Sequence, residues 1–145
     1  MLVVDTSVLL YASNTTSRFH PPCRDWLERQ RRRPDAWYLT WSIVYEFLRV
    51  STHPRVLPRP WTVAAAWEFV AALLLSPGIG ILVATDRHAD VARGVFLELP
   101  HLAGNIVHDA HTAILMREHG IKQICTLDAD FSRFPFLEVV DPLSG

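Results

Sequence analysis

"LVVDTSVLLYA", residues 2–12, is the stretch that decides the fold. Its first three residues are apolar and valine-rich, and the run stops at Asp5. A short apolar run of this kind reads as a buried strand. Helical text follows it at once, and the same order recurs down the chain. "WYLT" (37–40), "GILVAT" (80–85), "KQICTL" (122–127) and "FLEVVD" (136–141) read as further strands. "CRDWLERQRRR" (23–33), "SIVYEFLRVS" (42–51), "TVAAAWEFVAALLL" (62–75) and "RHADVARGVFLEL" (87–99) read as helices between them. "NIVHDAHTAILMREHG" (105–120) adds one more, with Asn105 as its cap and Gly120 as its stop. Apolar strands that alternate with helices imply an α/β fold. The expected architecture is a three-layer α/β/α sandwich with a central, mainly parallel five-stranded sheet. The 145 residues, half of them hydrophobic, suit one domain over 1–145 with a substantial core.

Composition narrows the function classes. The two cysteines, Cys23 and Cys125, form no paired motif, so a reduced, cytoplasmic protein is expected. The N-terminus lacks a basic region before its apolar run, and Asp5 interrupts that run, so no signal peptide is read. The apolar run 63–75 contains Glu68 and is too short to cross a bilayer, so no membrane partner is expected. Net charge is −1 but uneven. Residues 18–59 carry nine arginines against Asp25, Glu28, Asp35 and Glu46, which leaves the rest of the chain acidic. Such asymmetry suits a basic face beside an acidic site, and equally a set of solvated helix ends.

In a parallel sheet ligands sit beyond the carboxyl ends of the strands. Asp5 lies at such an end, where it also reads as a helix cap, although Thr6 and Ser7 could cap in its place. Glu46 flanks the apolar arc of Ile43, Val44, Phe47, Leu48 and Val50, and also reads as a surface partner of Arg49. If Ser42 caps this helix, Tyr45 stands where a capping box needs an acid, so Glu46 is no box partner. Asp109 flanks the arc of Ile106, Val107, Ala110, Ala113 and Ile114 in the same way, one turn into its helix. Asp128 and Asp130 directly follow a strand, where a turn role is the plain alternative. Strand ends and the starts of the following helices share one edge, so these acids can converge from most of the chain. Converging carboxylates repel one another unless they are protonated or bridged by cations. Oxygen-only ligands suit Mg²⁺ or Mn²⁺.

At this point the sequence resembles a known family. "VVDTSVLLYA", "YEFLRVSTHPRVLP", "GNIVHDAHTAILMREHG" and "TLDADFSRFP" followed by "VVDPL" look like PIN-domain ribonucleases, in particular VapC-type toxins of bacterial toxin–antitoxin pairs. The likeness covers nearly the whole chain, with the motifs in order. It implies an Mg²⁺- or Mn²⁺-dependent endoribonuclease that hydrolyses RNA phosphodiester bonds in tRNA or rRNA and inhibits translation. By that likeness Asp5, Glu46, Asp109 and Asp128 are the catalytic and metal-binding acids, with Asp130 as an accessory. Thr6, Ser7 and Thr126 supply supporting hydroxyls, and Ser7 stands where many relatives carry Asn. Arg49 and Arg55 are the arginines put forward for RNA phosphates. The family further implies a VapB-like antitoxin, a homodimer and a toxin–antitoxin hetero-oligomer.

Other readings compete. His108, Asp109 and His111 could form a local zinc site, but no second His/Cys pair with zinc spacing accompanies them. The His108–Asp109 doublet also fits HD-type phosphohydrolases, which are all-helical, unlike this chain. A catalytically weak PIN-like module acting by RNA or partner binding is a third reading, against which stands the full acid set. A phosphoaspartyl enzyme would want an acid at position 7, where Ser7 stands. Trp37, Trp41 and Tyr45 could stack on unpaired bases, though core packing is the favoured expectation for large aromatics.

Overall fold

The computed structural model describes residues 1–144. Its centre is a five-stranded sheet built from β1 (Leu2–Val4), β2 (Trp37–Thr40), β3 (Ile79–Leu82), β4 (Gln123–Cys125) and β5 (Glu138–Val140). The strand order is β3-β2-β1-β4-β5, and every pairing is parallel. The helices are α1 (Thr6–Ser13), α2 (His20–Arg32), α3 (Trp41–Ser51), α4 (Val63–Leu74), α5 (His88–Glu98) and α6 (Ile106–Glu118). A 3₁₀ turn at Ala129–Arg133 joins β4 to β5. From β1 the chain steps outward through β2 to β3, then crosses back to β4 and β5. Right-handed crossovers in opposite directions put α1–α4 on one face and α5–α6 on the other. Accordingly α1 packs on α2 and α3, α3 on α4, and α5 on α6. The expected three layers are present, with a sheet that is parallel throughout. The reversal of direction falls between β1 and β4, which is where such sheets open a crevice.

The strands are short and buried because both faces are covered. Val3, Val4, Trp37, Leu39 and Ile124 are fully buried. The third strand ends at Leu82, earlier than its apolar text to residue 85. Its last sheet partner is Thr40, and beyond that register there is no neighbour to pair with. Helix α6 ends as expected: Gly120 takes φ 72°, and the Ile121 N–H reaches back to the Met116 carbonyl at 2.9 Å. Its start differs, since Asn105 is helical in φ and ψ and makes no side-chain cap. Helix α3 is capped by Thr40 rather than Ser42, with the Ile43 N–H donating to Thr40 Oγ1 at 3.1 Å.

The favoured core packing of the three aromatics holds for Trp37 alone, which has no exposed surface. Trp41 is 44% exposed and Tyr45 65% exposed. They lie one turn apart on α3, opposite the buried stripe of Ile43, Val44 and Phe47. Helical phase overrides residue type here. Val107, assigned to the apolar arc of α6, is likewise 43% exposed at the first turn. Both cysteines are buried and free. Among the described residues no helix is long and apolar enough to cross a membrane.

Candidate active site

The crevice between β1 and β4 is the acidic site. Asp5 follows β1, and its N–H extends the β1–β4 pairing by donating to the Cys125 carbonyl at 2.9 Å. Asp5 is 7% exposed and is also the N-cap of α1, although two alternative caps follow it in sequence. Its Oδ2 accepts the Ser7 hydroxyl at 2.9 Å and the Thr126 hydroxyl at 2.8 Å. Those hydroxyls are themselves fixed from the far side of the crevice. The Leu127 N–H donates to Ser7 Oγ at 3.0 Å, and the Asp128 N–H to Thr126 Oγ1 at 2.9 Å. Thr6 turns away from this network and donates to the Ile43 carbonyl at 3.3 Å, tying α1 to α3.

Three other elements deliver the remaining acids. Glu46 comes from the middle of α3 and Asp109 from the first turn of α6. Asp128 caps the 3₁₀ turn, accepting the Asp130 N–H at 2.9 Å. Asp5, Ser7, Glu46, His108, Asp109 and Asp128 line one cavity of about 200 Å³. Carboxylate oxygens of Asp109, Asp128 and Asp130 approach within 4.8 Å of one another, close enough to share an ion. Among the described residues that is the one such group of three or more acidic, histidine or cysteine side chains.

Burial and charge repulsion act together in the site. The Asp109 carboxyl is pushed up to about 7, first by burial and then by the negative charges of Asp128, Asp5, Asp130 and Glu46. Burial also raises Asp5, outweighing the hydrogen bonds from Thr126 and Ser7 that favour its charged form. Five carboxylates thus act on a single small volume, and a hard divalent cation is the group whose charge and oxygen preference fit them.

The sequence placed Asp5, Glu46, Asp109 and Asp128 together, and the structure brings them together. Asp130 joins Asp109 and Asp128 from the exposed side. Both bland readings also hold: Arg49 grips Glu46 through contacts of 2.7 and 3.1 Å, and Asp128 caps a turn. Arg55 lies exposed on the α3–α4 loop. His108 lines the cavity, but His111 turns aside, with Nδ1 3.1 Å from the Ser42 hydroxyl. Burial and the neighbouring His88 and His108 lower the His111 pKa.

Sequence reasoning missed Ser42 and Thr112, which also line the cavity, and it missed Glu118. Glu118 is 3% exposed, receives the Thr85 amide and hydroxyl, and meets His88 Nδ1 at 2.6 Å. Arg87 also donates to the Glu118 carbonyl at 2.7 Å, so this one residue secures the approach to α5. The signal was present: Glu118 continues the buried stripe of Ala110 and Ile114 at four-residue steps.

Comparison with known proteins agrees with this architecture. The PIN domain family model matches residues 2–137. Ribonuclease VapC37 of Mycobacterium tuberculosis is 38% identical over 134 residues, covering 92% of each chain. Ribonuclease VapC48 of the same species is 33% identical over 147 residues, covering 97% of each. Among solved structures, Mycobacterium tuberculosis VapC20, described as a sarcin-ricin loop cleaving toxin, superposes with a TM-score of 0.68 at 21% identity, covering 97% of this chain and 100% of that one. VapBC2 of Rickettsia felis, solved bound to a DNA fragment from its promoter, gives 0.67 at 15% identity, covering 96% of each chain. With its parallel sheet, its acidic crevice at the β1–β4 junction and these relatives, the chain belongs to the PIN-domain family, in its VapC branch.

Proposed function

We propose that this chain, as one PIN domain over residues 1–145, is the toxin of a type II toxin–antitoxin pair and a metal-dependent endoribonuclease. The observation that carries the reading is the convergence of Asp5, Glu46, Asp109 and Asp128 on one crevice of about 200 Å³, where burial first and then the neighbouring acids raise the Asp109 carboxyl. Asp5 and Asp109 would hold Mg²⁺ or Mn²⁺, with Glu46 and Asp128 completing the pocket and Asp130 assisting from its rim. The ion, when bound, orients a water and offsets charge on the phosphodiester. Ser7 and Thr126 fix the Asp5 carboxylate, so its rotamer is set before substrate arrives. Glu46 and Asp128 accept protons of the attacking water through hydrogen bonds. Water adds to phosphorus in line as the bond to the 3′ oxygen breaks; the water gives up a proton to one of these carboxylates and the 3′ oxygen takes one from solvent, leaving 5′-phosphate and 3′-hydroxyl ends. No side chain forms a covalent bond to the RNA.

Arg55 and, once released from Glu46, Arg49 would meet RNA phosphates. The substrate class is tRNA or rRNA, and its cleavage would stop translation in the cytoplasm. A VapB-like antitoxin and a second copy of the chain are the proposed partners. The test is to incubate the purified protein with tRNA and ribosomes, with Mg²⁺ or with EDTA, and to sequence the new RNA 5′ ends. Discrete, EDTA-sensitive cuts bearing 5′-phosphate support the reading. Intact RNA in the presence of Mg²⁺ defeats it.

A further inference from the structure

A second polar pocket lies away from the acids, between α2 and the edge strand β5. It is larger, about 520 Å³, and is lined by Trp26, Arg29, Gln30, Arg33, Val139 and Asp141. The α2 residues Trp26, Arg29 and Gln30 stand at i, i+3 and i+4 in one helical stripe, which Arg33, the extended C-cap, prolongs. An amphipathic helix usually buries such a stripe in the core. Here it carries two guanidiniums, an amide and an indole.

Two features mark the pocket as unfinished. Gln30 is 6% exposed, yet among the described residues no hydrogen bond to its side-chain amide is found. Its amide atoms are not closed off from solvent but open into the pocket, where they offer a donor and an acceptor to a ligand. Arg29 is also without an acidic partner among the described residues, whereas Arg31 and Arg32 reach Glu28 and Arg33 reaches Asp35. The one acid of the pocket, Asp141, is engaged through Oδ1 with the Leu143 N–H at 2.8 Å.

The pocket neighbours the catalytic crevice through a hollow that shares lining residues with both. A smaller hollow of about 200 Å³ is lined by Thr126, Asp128, Ser132, Val139 and Asp141. It shares Asp128 with the acidic cavity and Val139 and Asp141 with the basic pocket. The three hollows follow one another across the ends of β4 and β5. A strand whose phosphate lies at the acids therefore has a path to α2.

We infer that the α2–β5 pocket is an RNA exosite that holds an unpaired nucleotide several positions from the cleaved phosphate. This rests on the ribonuclease reading above. Trp26 offers a face for base stacking, the Gln30 amide meets a base edge, and Arg29 and Arg33 meet phosphates. An acidic peptide would match the arginines but would leave the hollows that lead from the acids to this pocket without a role.

The test compares wild type, Arg29→Glu and Gln30→Leu on two single-stranded RNAs centred on the mapped cleavage site. One RNA extends well beyond the site on both sides, and the other spans only the nucleotides beside it. For the long RNA, KM is expected to rise roughly tenfold in each variant with kcat kept. The slope of log KM against log salt becomes shallower by about one in Arg29→Glu, which removes a phosphate contact. The short RNA is cut alike by all three proteins. Unchanged KM on the long RNA, or equal losses on both RNAs, overturns the exosite. A weakened antitoxin complex with RNA cleavage untouched assigns the pocket to a protein partner and overturns it as well. If no cleavage site can be mapped in tRNA or rRNA, the ribonuclease reading falls and the exosite with it. Should Gln30→Leu lower the melting temperature, the exposed Arg29→Glu decides alone.

Discussion

Thr126 donates its hydroxyl to Asp5 across 2.8 Å, linking the ends of two adjacent strands whose residues are 121 positions apart in sequence. The bond fixes a buried carboxylate at the seam where the sheet changes direction. Thr126→Val removes that donor while keeping shape and β-propensity. RNA cleavage should fall by about tenfold to a hundredfold, as for other groups that orient a metal ligand. Circular dichroism should stay native. Cleavage within twofold of wild type would show that Asp5 needs no such support.

Asp5→Asn and Asp109→Asn each remove one negative charge and one ligand oxygen without changing side-chain volume. Each should abolish RNA cleavage and growth arrest on induction and leave the fold intact. Toxicity that persists in either variant would sink the assignment of these acids.

Asp109 also predicts a pH effect on the metal-free protein. Its carboxyl is raised from 3.8 to about 7 in the folded chain. The folded state therefore keeps a proton that the unfolded state releases between about pH 4 and pH 7. Where the folded state binds more protons, stability falls as pH rises. In EDTA the melting temperature should decline from pH 5 to pH 7 and then level off, and the burial-raised Asp5 works in the same direction. Asp109→Asn should flatten the decline and melt higher than wild type at pH 8. Parallel melting curves for the two proteins would contradict the repulsion.

The acid set predicts its own ion preference. Activity lost to EDTA should return with Mg²⁺ or Mn²⁺, which favour carboxylate oxygens, and not specifically with Zn²⁺. Mg²⁺ should also raise the melting temperature more at pH 8 than at pH 5, because at low pH it competes with the Asp109 proton. A strict Zn²⁺ requirement in metal-replacement assays would return attention to His108 and His111.

Glu118 serves stability rather than chemistry. Burial pushes its carboxyl up, but Thr85 and His88 outweigh that and hold it at about 2. Its contribution is therefore present above about pH 4.5 and is lost as pH falls toward 2. Glu118→Ala leaves the Thr85 and His88 donors without their acceptor and should cost about 3 kcal/mol. For a chain of this size that lowers Tm by about 10 °C. A variant that melts like wild type at pH 7 would refute the role.

The sequence by itself determined the alternation of strands and helices, and with it the parallel sheet. Asp5, Glu46, Asp109 and Asp128 were legible because each stands at a strand end or at the margin of a helix's apolar arc, on elements that parallel sheets gather toward one edge. Their bland roles were legible too, and the structure keeps both: Glu46 holds Arg49, and Asp128 caps a turn. Tertiary structure decided what periodicity cannot encode. It set the phase of α3, which turned Trp41 and Tyr45 to solvent, and the β1–β4 pairing, which put Thr126 on Asp5. It also closed α5 onto Glu118 and laid the arginine stripe of α2 beside β5. Periodicity reports which face of an element is buried. Which two elements meet is fixed by long-range packing, and every one of these contacts joins residues that only the folded sheet makes neighbours.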